Sequence, residues 1–207
     1  MLQLIIFDCD GVMFDSRTPN RVYYNQLLAH FGRPEMDEEE VAYVHMHNAK
    51  NSVEHIFRRF SDQDMDTVAS YCKSLDYSPF FRFMQMEKDL IEFLEYAKTR
   101  YHLAISTNRT TTLQSLLKKF NLLQYFGKIM TAENSPKPKP APDALYEILK
   151  HFNCQVDEAI YIGDSIIDRQ HTKAAGIRLI AFKNPDLPAE FHVSSFMQIC
   201  ALPPFRQ

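Results

Sequence analysis

Two aspartates follow the first apolar run of the chain, where a buried strand is expected to end. The run covers residues 4–7, and Asp8 and Asp10 come after it at spacing i, i+2, followed by Gly11. Carboxylates at this spacing project to the same side of an extended chain, and a glycine then lets the backbone turn away. Two like charges about 4 Å apart repel by roughly 4 kcal/mol at an effective dielectric constant of about 20, so the pair needs a shared proton or a cation.

A second acidic pair repeats this arrangement near the other end of the chain. Asp164 and Asp168 come after the apolar run 159–162, with Gly163 and Ser165 on either side of the first of them. Asp and Ser also favour the first residues of a helix. This preference explains one of the acids, but it explains less well why an acidic pair occurs twice in the chain. Carboxylates gathered at two strand ends favour Mg²⁺, a hard cation that binds oxygen ligands.

Residue types that bind phosphate follow two further segments. Thr107 and Asn108 come directly after another apolar run, and hydroxyl and backbone N–H groups at a strand-to-helix turn suit phosphate oxygens. Residues 135–142 contain four prolines, which predicts a stiff extended loop that holds a lysine in place. Lys137 and Lys139 both lie in this loop, and either can supply a positive charge for an anion.

Alternating strand and helix patterns must position these residues. Short apolar segments predict strands, and the segments between them carry apolar residues at i, i+3, i+4 and i+7, as amphipathic helices do. Near-continuous apolar runs are typical of parallel strands buried on both faces. The pattern predicts an α/β fold with a doubly wound parallel sheet. The predicted strands cover residues 4–7, 103–106, 128–131, 159–162 and 177–182.

One stretch near the amino terminus breaks the alternation. Residues 17–83 contain several helical patterns and no convincing strand, which predicts a helical insert between the first and second strands. The predicted organisation is therefore a core domain of residues 1–16 and 84–207 with an inserted helical domain of residues 17–83.

The composition narrows the class of protein. The chain has 207 residues, of which 26 are acidic and 23 basic, with a formal net charge of −3, so we expect no nucleic-acid partner. No apolar run approaches the roughly 20 residues that span a bilayer, and the first apolar run lacks the features of a secretory signal. We therefore expect no membrane segment and a cytoplasmic location. The four cysteines lie far apart and predict neither a disulfide framework nor a zinc site.

Together, the four polar segments resemble the motifs of the haloacid dehalogenase-like (HAD) hydrolases. The helical insert is similar in position and helical character to the cap domain of the family's phosphoglycolate phosphatase and β-phosphoglucomutase branch. The family pattern places proline directly after the lysine, which favours Lys139 over Lys137. In chain order the matching segments are Asp8-Cys9-Asp10-Gly11-Val12, Ser106-Thr107-Asn108, Lys139-Pro140-Ala141-Pro142 and Gly163-Asp164-Ser165-Ile166-Ile167-Asp168.

The resemblance implies an enzyme, a phosphoric monoester hydrolase, with a role for each motif. Asp8 would be the nucleophile that forms an aspartyl-phosphate, and Asp10 the general acid and then the general base. Mg²⁺ would be held by the Asp8 carboxylate, the Asp10 backbone carbonyl and Asp164.

Other residues would support the metal, the phosphoryl group and the substrate. Asp168 and Ser165 would lie beside the metal ligands, and Thr107, Asn108 and Lys139 would hold the phosphoryl oxygens. The cap would choose the substrate. The cap residues expected to contact it are His47, Asn48 and Lys50, although a solvated helix junction also accounts for these polar residues.

The expected reaction is Mg²⁺-dependent hydrolysis of a small phosphorylated metabolite, similar to phosphoglycolate, by a monomer or homodimer. Asp10 favours a phosphate ester, because the dehalogenases and phosphonate-cleaving relatives lack this second aspartate. One alternative is a phosphoryl-transferring mutase, which is weakened by Asn20 at a position where the β-phosphoglucomutases carry histidine. The other is a binding protein that keeps the fold without catalysis, which the intact acidic set speaks against.

Overall fold

The chain divides into two compact units in the computed structural model, which describes residues 1–206. One unit comprises Ser16–Gln85, and the other comprises Met1–Asp15 together with the stretch that begins at Met86. None of the helices among the described residues is both long enough and apolar enough to cross a membrane.

The larger unit is built on a six-stranded parallel sheet. Its strands are β1 (Leu4–Phe7), β4 (His102–Ser106), β5 (Lys128–Met130), β6 (Ala159–Gly163), β7 (Arg178–Phe182) and β8 (Phe191–Val193). The strand order is β5-β4-β1-β6-β7-β8, so β1 lies at the centre between β4 and β6. The short strands β2 (Phe14–Asp15) and β3 (Gln85–Met86) lie where the chain crosses between the units. The predicted α/β fold is confirmed.

The strand register aligns the ends of the three central strands. Phe7, the last residue of β1, pairs with Ile105 of β4 on one side and Ile162 of β6 on the other. All three strands are parallel, so their carboxyl ends meet at one edge of the sheet, which we call the carboxyl edge. Residues that directly follow these strands therefore lie side by side.

Helices and aromatic side chains cover the two faces of the sheet. Leu4 and Ile6 of β1 pack in one core cluster with Leu145 and Ile148. Phe7 points to the opposite face, because side chains alternate along a strand, and its ring lies 6.1 Å from that of Phe93. Burial on both faces explains why the strands read as apolar runs. The helices of this unit are α5 (Leu90–Ala97), α6 (Thr112–Lys119), α7 (Asp143–Phe152) and α8 (Ile166–Ala175).

The proline-rich segment differs from the extended loop that the sequence predicts. Residues 135–137 and 141–142 are bent, residues 139–140 form a turn, and the backbone N–H of Ala141 donates to the carbonyl of Pro138 at 3.1 Å. This hydrogen bond closes a turn around Lys139, and the Lys139–Pro140 peptide bond is cis. The prediction of an extended loop is wrong because hydrogen bonding within the segment outweighs the extended preference of proline.

The smaller unit is helical. Its helices are α1 (Arg17–His30), α2 (Glu38–Met46), α3 (Ala49–Phe57) and α4 (Met65–Ser74), followed by a 3-10 helix at Ser78–Phe83. Asp37, Asn48 and Asp64 begin α2, α3 and α4 by accepting hydrogen bonds from backbone N–H groups of the first turn. Apolar side chains from all four helices form one core.

Candidate active site

The residues that directly follow β1, β4 and β6 are Asp8, Thr107 and Asp164. The register places them next to one another at the carboxyl edge, with Asp8 in the middle. Asp8 and Thr107 are buried, and Asp164 is partly exposed. The sheet thus brings the first, second and fourth motifs together.

The turn after β1 lets Asp164 come close to the backbone. Gly11 has φ +81°, a backbone conformation that residues with a side chain rarely adopt. A Cβ at this position would lie 2.0 Å from Asp164 Oδ2. The turn is closed by backbone hydrogen bonds from Gly11 N–H to the Phe14 carbonyl and from Met13 N–H to the Cys9 carbonyl. Glycine is therefore needed here both for its φ angle and for the space that the Asp164 carboxylate occupies.

Lys139 is buried between two carboxylates. Its Nζ lies 2.9 Å from Asp8 Oδ1 and 2.7 Å from Asp168 Oδ1, and all three side chains are almost fully buried. Burial alone would lower the pKa of Lys139, but Asp168 and Asp8 outweigh it and raise the pKa above its usual value. Lys137, by contrast, is exposed. The structure thus places Lys139 at the carboxyl edge with the aspartates.

Both carboxylate oxygens of Asp168 contact donors of the protein. Oδ1 accepts a hydrogen bond from Lys139 and lies 3.1 Å from the Tyr161 hydroxyl. Oδ2 accepts from the backbone N–H of Asp164 and from the N–H and hydroxyl of Ser165. Burial would raise the pKa of Asp168, but the Lys139 charge and these hydrogen bonds lower it. Asp168 therefore fixes its neighbours in place and leaves Asp8 and Asp164 as the better candidates for metal ligands.

The carboxylates of Asp8, Asp164 and Asp168 form a cluster that fits a cation. One oxygen from each lies within 4.8 Å of the others. Burial is the main cause that raises the pKa of Asp8 to about 7, and burial followed by the charges of Asp168 and Asp8 raises the pKa of Asp164 well above its usual value. A cation would relieve this cost, because it favours the ionised form of each carboxylate. Hard oxygen donors of this kind suit a divalent metal ion such as Mg²⁺.

Thr107 and Asn108 lie against the Lys139 loop. Asn108 Nδ2 donates to the backbone carbonyl of Lys139 at 3.3 Å, and both residues are buried. The Thr107 hydroxyl oxygen accepts a hydrogen bond from the backbone N–H of Arg109 at 3.2 Å. The predicted phosphate-binding residues therefore share the carboxyl edge with the aspartates.

Arg109, which sequence reasoning missed, contacts Asp10. Its Nη2 donates to Asp10 Oδ1 at 2.6 Å and its Nε donates to Asp10 Oδ2 at 3.1 Å, so the guanidinium binds both carboxylate oxygens. The Arg109 side chain is 5% exposed. Its position directly after Asn108 was the only available signal, and no sequence pattern links it to a residue 99 positions earlier.

A hydrogen-bond network next to Lys139 was also not predicted from the sequence. The Tyr161 hydroxyl receives a hydrogen bond from Lys139 Nζ at 3.1 Å and donates to the Ser106 carbonyl at 2.7 Å. His171 Nδ1 lies 2.7 Å from the Ala141 carbonyl, so Nδ1 carries the hydrogen and Nε2 accepts from the Ser106 hydroxyl at 3.0 Å. Burial, with a smaller effect of the Lys139 charge, lowers the pKa of His171 to about 4. A neutral His171 thus ties the segment before Thr107 to the Lys139 loop.

The three residues of the helical insert that were predicted to contact the substrate have local partners within their own unit. The His47 ring stacks on Tyr43 with ring centroids 3.8 Å apart. The Asn48 side chain accepts from the backbone N–H of Asn51 at the start of α3. Lys50 is exposed, and its Nζ lies 3.9 Å from Glu54 Oε1. A role in substrate recognition stays a prediction for all three.

Comparisons with known proteins identify the family. A family model described as haloacid dehalogenase-like hydrolase matches residues 5–182. Phosphoglycolate phosphatase 1 of Pseudomonas aeruginosa is 27% identical over 186 residues, which cover 86% of this chain and 68% of that protein. A phosphoglycolate phosphatase of Thiobacillus denitrificans is 28% identical over 195 residues, covering 84% of this chain and 80% of that protein.

A solved structure agrees with the family model. The HAD-superfamily hydrolase of subfamily IA, variant 1, from Geobacter sulfurreducens is 32% identical with a TM-score of 0.85, and the match covers 97% of this chain and 99% of that one. The chain belongs to the haloacid dehalogenase-like hydrolase family. The prediction of a hydrolase of this family is therefore confirmed.

A side chain at positive φ costs about 1 kcal/mol. We expect Gly11→Ala to lower the free energy of unfolding by more than this amount. The added Cβ must displace the Asp164 carboxylate, because it would lie only 2.0 Å from one of the carboxylate oxygens. Gly176→Ala is the matched control, because Gly176 has φ +76° and a Cβ added there would meet nothing within 4 Å. Equal losses for the two variants in urea unfolding would contradict the close approach of Asp164 to the turn.

We expect His171 to make the protein less stable in acid. The unfolded chain binds a proton at the usual pKa of 6.5 and the folded chain only at about 4, so stability falls as the pH drops between these values. The loss is at most about 3 kcal/mol. Urea unfolding of the protein and of His171→Asn, both in chelator at several pH values, measures it. A constant stability difference between the two proteins across this range would contradict the burial of a neutral His171.

Proposed function

We propose that the protein is a Mg²⁺-dependent phosphatase that hydrolyses a small phosphorylated metabolite through an aspartyl-phosphate on Asp8. The observation that carries the proposal is the position of Asp8 at the centre of the carboxyl edge. There it lies 2.9 Å from the Lys139 ammonium and within 4.8 Å of the Asp164 carboxylate, with Asp10 on the same turn. The proposed nucleophile, the buried ammonium group and a carboxylate that can bind a metal thus lie next to one another at the carboxyl edge.

In the first half of the reaction, a carboxylate oxygen of Asp8 forms a bond to phosphorus while the bond to the leaving oxygen breaks. Asp10 gives a proton to the leaving oxygen. Lys139 and Thr107 hold the phosphoryl oxygens, and Asn108 keeps the Lys139 loop against them. In the second half, Asp10 takes a proton from water, whose oxygen attacks phosphorus and releases Asp8 and phosphate.

The metal-binding residues are assigned from the donors that remain available. Asp8, Asp164 and the backbone carbonyl of Asp10 would hold Mg²⁺. Asp168 orients Asp164 by accepting hydrogen bonds from the Asp164 backbone N–H and from Ser165. When bound, the metal supplies positive charge that keeps Asp8 ionised and stabilises charge on the phosphoryl oxygens. A protonated Asp8 is a poor nucleophile, so the raised pKa of this residue supports a need for the cation.

The substrate class rests on the relatives and on one residue of the helical unit. The similarity to phosphoglycolate phosphatases supports a small phosphorylated metabolite as substrate. Asn20, at the position where a mutase of this family would carry histidine, accepts a hydrogen bond from the Tyr77 hydroxyl at 2.9 Å, which supports a local structural role and favours hydrolysis over mutase activity. We assign substrate choice to the helical unit as its cap.

Phosphate release from phosphoglycolate, hexose phosphates and nucleotides tests the proposal, with each compound assayed in Mg²⁺ and in chelator. We expect release that requires Mg²⁺ and that favours one compound over the others. Release that continues in chelator would contradict the metal requirement. A folded protein that releases no phosphate from any compound would favour a mutase or a binding protein.

Asp8→Asn should lower turnover of the best substrate by more than about a thousandfold while the protein stays folded, because the amide cannot attack phosphorus. Asp157→Asn is a matched control, since Asp157 is exposed and lies before β6, at the opposite edge of the sheet. Full activity in the Asp8→Asn variant would exclude Asp8 as the nucleophile. Equal losses in both variants would point to a general effect of the substitution.

A further inference from the structure

We propose that Arg109 is a positioning residue that fixes the carboxyl group of Asp10 for proton transfer. This inference rests on the proposed function, in which Asp10 gives a proton to the leaving oxygen. It starts from the two hydrogen bonds of 2.6 Å and 3.1 Å by which the Arg109 guanidinium holds the two oxygens of Asp10.

Several contacts fix the guanidinium itself. Arg109 Nη1 donates to the Thr112 hydroxyl at 3.2 Å, at the start of α6, and the Arg109 backbone N–H donates to the Thr107 hydroxyl oxygen. The side chain is 5% exposed, whereas that of Asp10 is 15% exposed. A planar group with two parallel donors restricts rotation of the carboxyl group that it binds, which a lysine ammonium cannot do to the same degree.

Proton transfer needs this restriction. The acid must lie within hydrogen-bond reach of the leaving oxygen, and small displacements of such a group are costly for the rate. When Asp10 carries the proton for the leaving group, its oxygens still have lone pairs that accept hydrogen bonds from Arg109. Arg109 can therefore hold Asp10 in one orientation through both halves of the reaction.

The role of Arg109 should depend on the leaving group. An alkoxide such as that of an alkyl phosphate leaves only with a proton, whereas 2,4-dinitrophenolate leaves without one. The kcat/KM value reports the steps up to the departure of the leaving group, which are the steps that need the acid. Loss of Arg109 should therefore lower kcat/KM for alkyl phosphates and leave it nearly unchanged for the dinitrophenyl ester.

The experiment compares kcat/KM for the best alkyl phosphate substrate and for 2,4-dinitrophenyl phosphate, both in Mg²⁺. For Arg109→Ala we expect a loss of at least about tenfold with the alkyl phosphate, since general acids contribute roughly a hundredfold or more. With the dinitrophenyl ester we expect less than about a threefold change. The ratio of the two values does not depend on the fraction of folded protein, so partial unfolding does not affect it.

Two further variants sharpen the test. Arg109→Lys keeps the charge without the paired donors, and it should recover only part of the alkyl phosphate activity. Arg100→Ala, an exposed arginine before β4 at the opposite edge of the sheet, should leave both substrates unchanged.

Three outcomes would overturn the inference. Equal losses on both substrates in Arg109→Ala would show that Arg109 acts on phosphoryl binding or on the fold. Unchanged activity on both would show that Asp10 needs no partner. Absence of hydrolysis by the unaltered protein would contradict the proposed function itself, and it is distinguished from the other two because it is seen before any substitution.

Discussion

The ion pairs of Lys139 with Asp8 and Asp168 are the interactions on which the rest of the site depends. A buried ammonium group is costly unless carboxylates surround it, and a buried carboxylate is equally costly without a partner. The Lys139 Nζ lies 2.9 Å from an oxygen of Asp8 and 2.7 Å from one of Asp168. The three side chains come from the β1 end, the loop before α7 and the first turn of α8. The Lys139 ammonium thus holds the two acidic segments together, and their two carboxylates hold the lysine in its buried position.

Carboxylates outnumber cationic side chains among the residues that meet at the carboxyl edge. Lys139 is shared by Asp8 and Asp168, and Arg109 binds Asp10, while Asp164 adds a further acid to the cluster. A divalent cation would correct this excess, and the phosphoryl dianion of a substrate would then be held by the metal and Lys139 together. This excess of negative charge is the physical reason to expect a metal ion.

Much of this arrangement could be predicted from local sequence signals. The apolar runs predicted five strands of the central sheet, because strands buried on both faces need apolar residues throughout. Because acidic residues follow two of these runs, the sequence also predicted that these acids lie at the same edge of the sheet. The short edge strand β8 has only three residues and no apolar run, so the sequence did not reveal it.

The rest depends on tertiary contacts that no local pattern records. Arg109 reaches Asp10 across 99 positions, and His171 reaches Ser106 across 65. An arginine after a polar turn and a histidine within a helix are common in solvent-exposed places, so their types alone did not mark them. The turn in the proline-rich loop is a local feature, closed by the hydrogen bond from the Ala141 N–H to the Pro138 carbonyl, which the composition of the segment does not reveal.

The proposed chemistry requires that phosphate pass through a covalent bond to Asp8. Stopping the reaction with acid during turnover, followed by digestion and mass spectrometry of the peptide that contains residues 4–10, tests this most directly. We predict a phosphoryl group on Asp8 that appears only with substrate and Mg²⁺. An unmodified Asp8 in an enzyme stopped during active turnover, or a phosphoryl group on another residue, would contradict it.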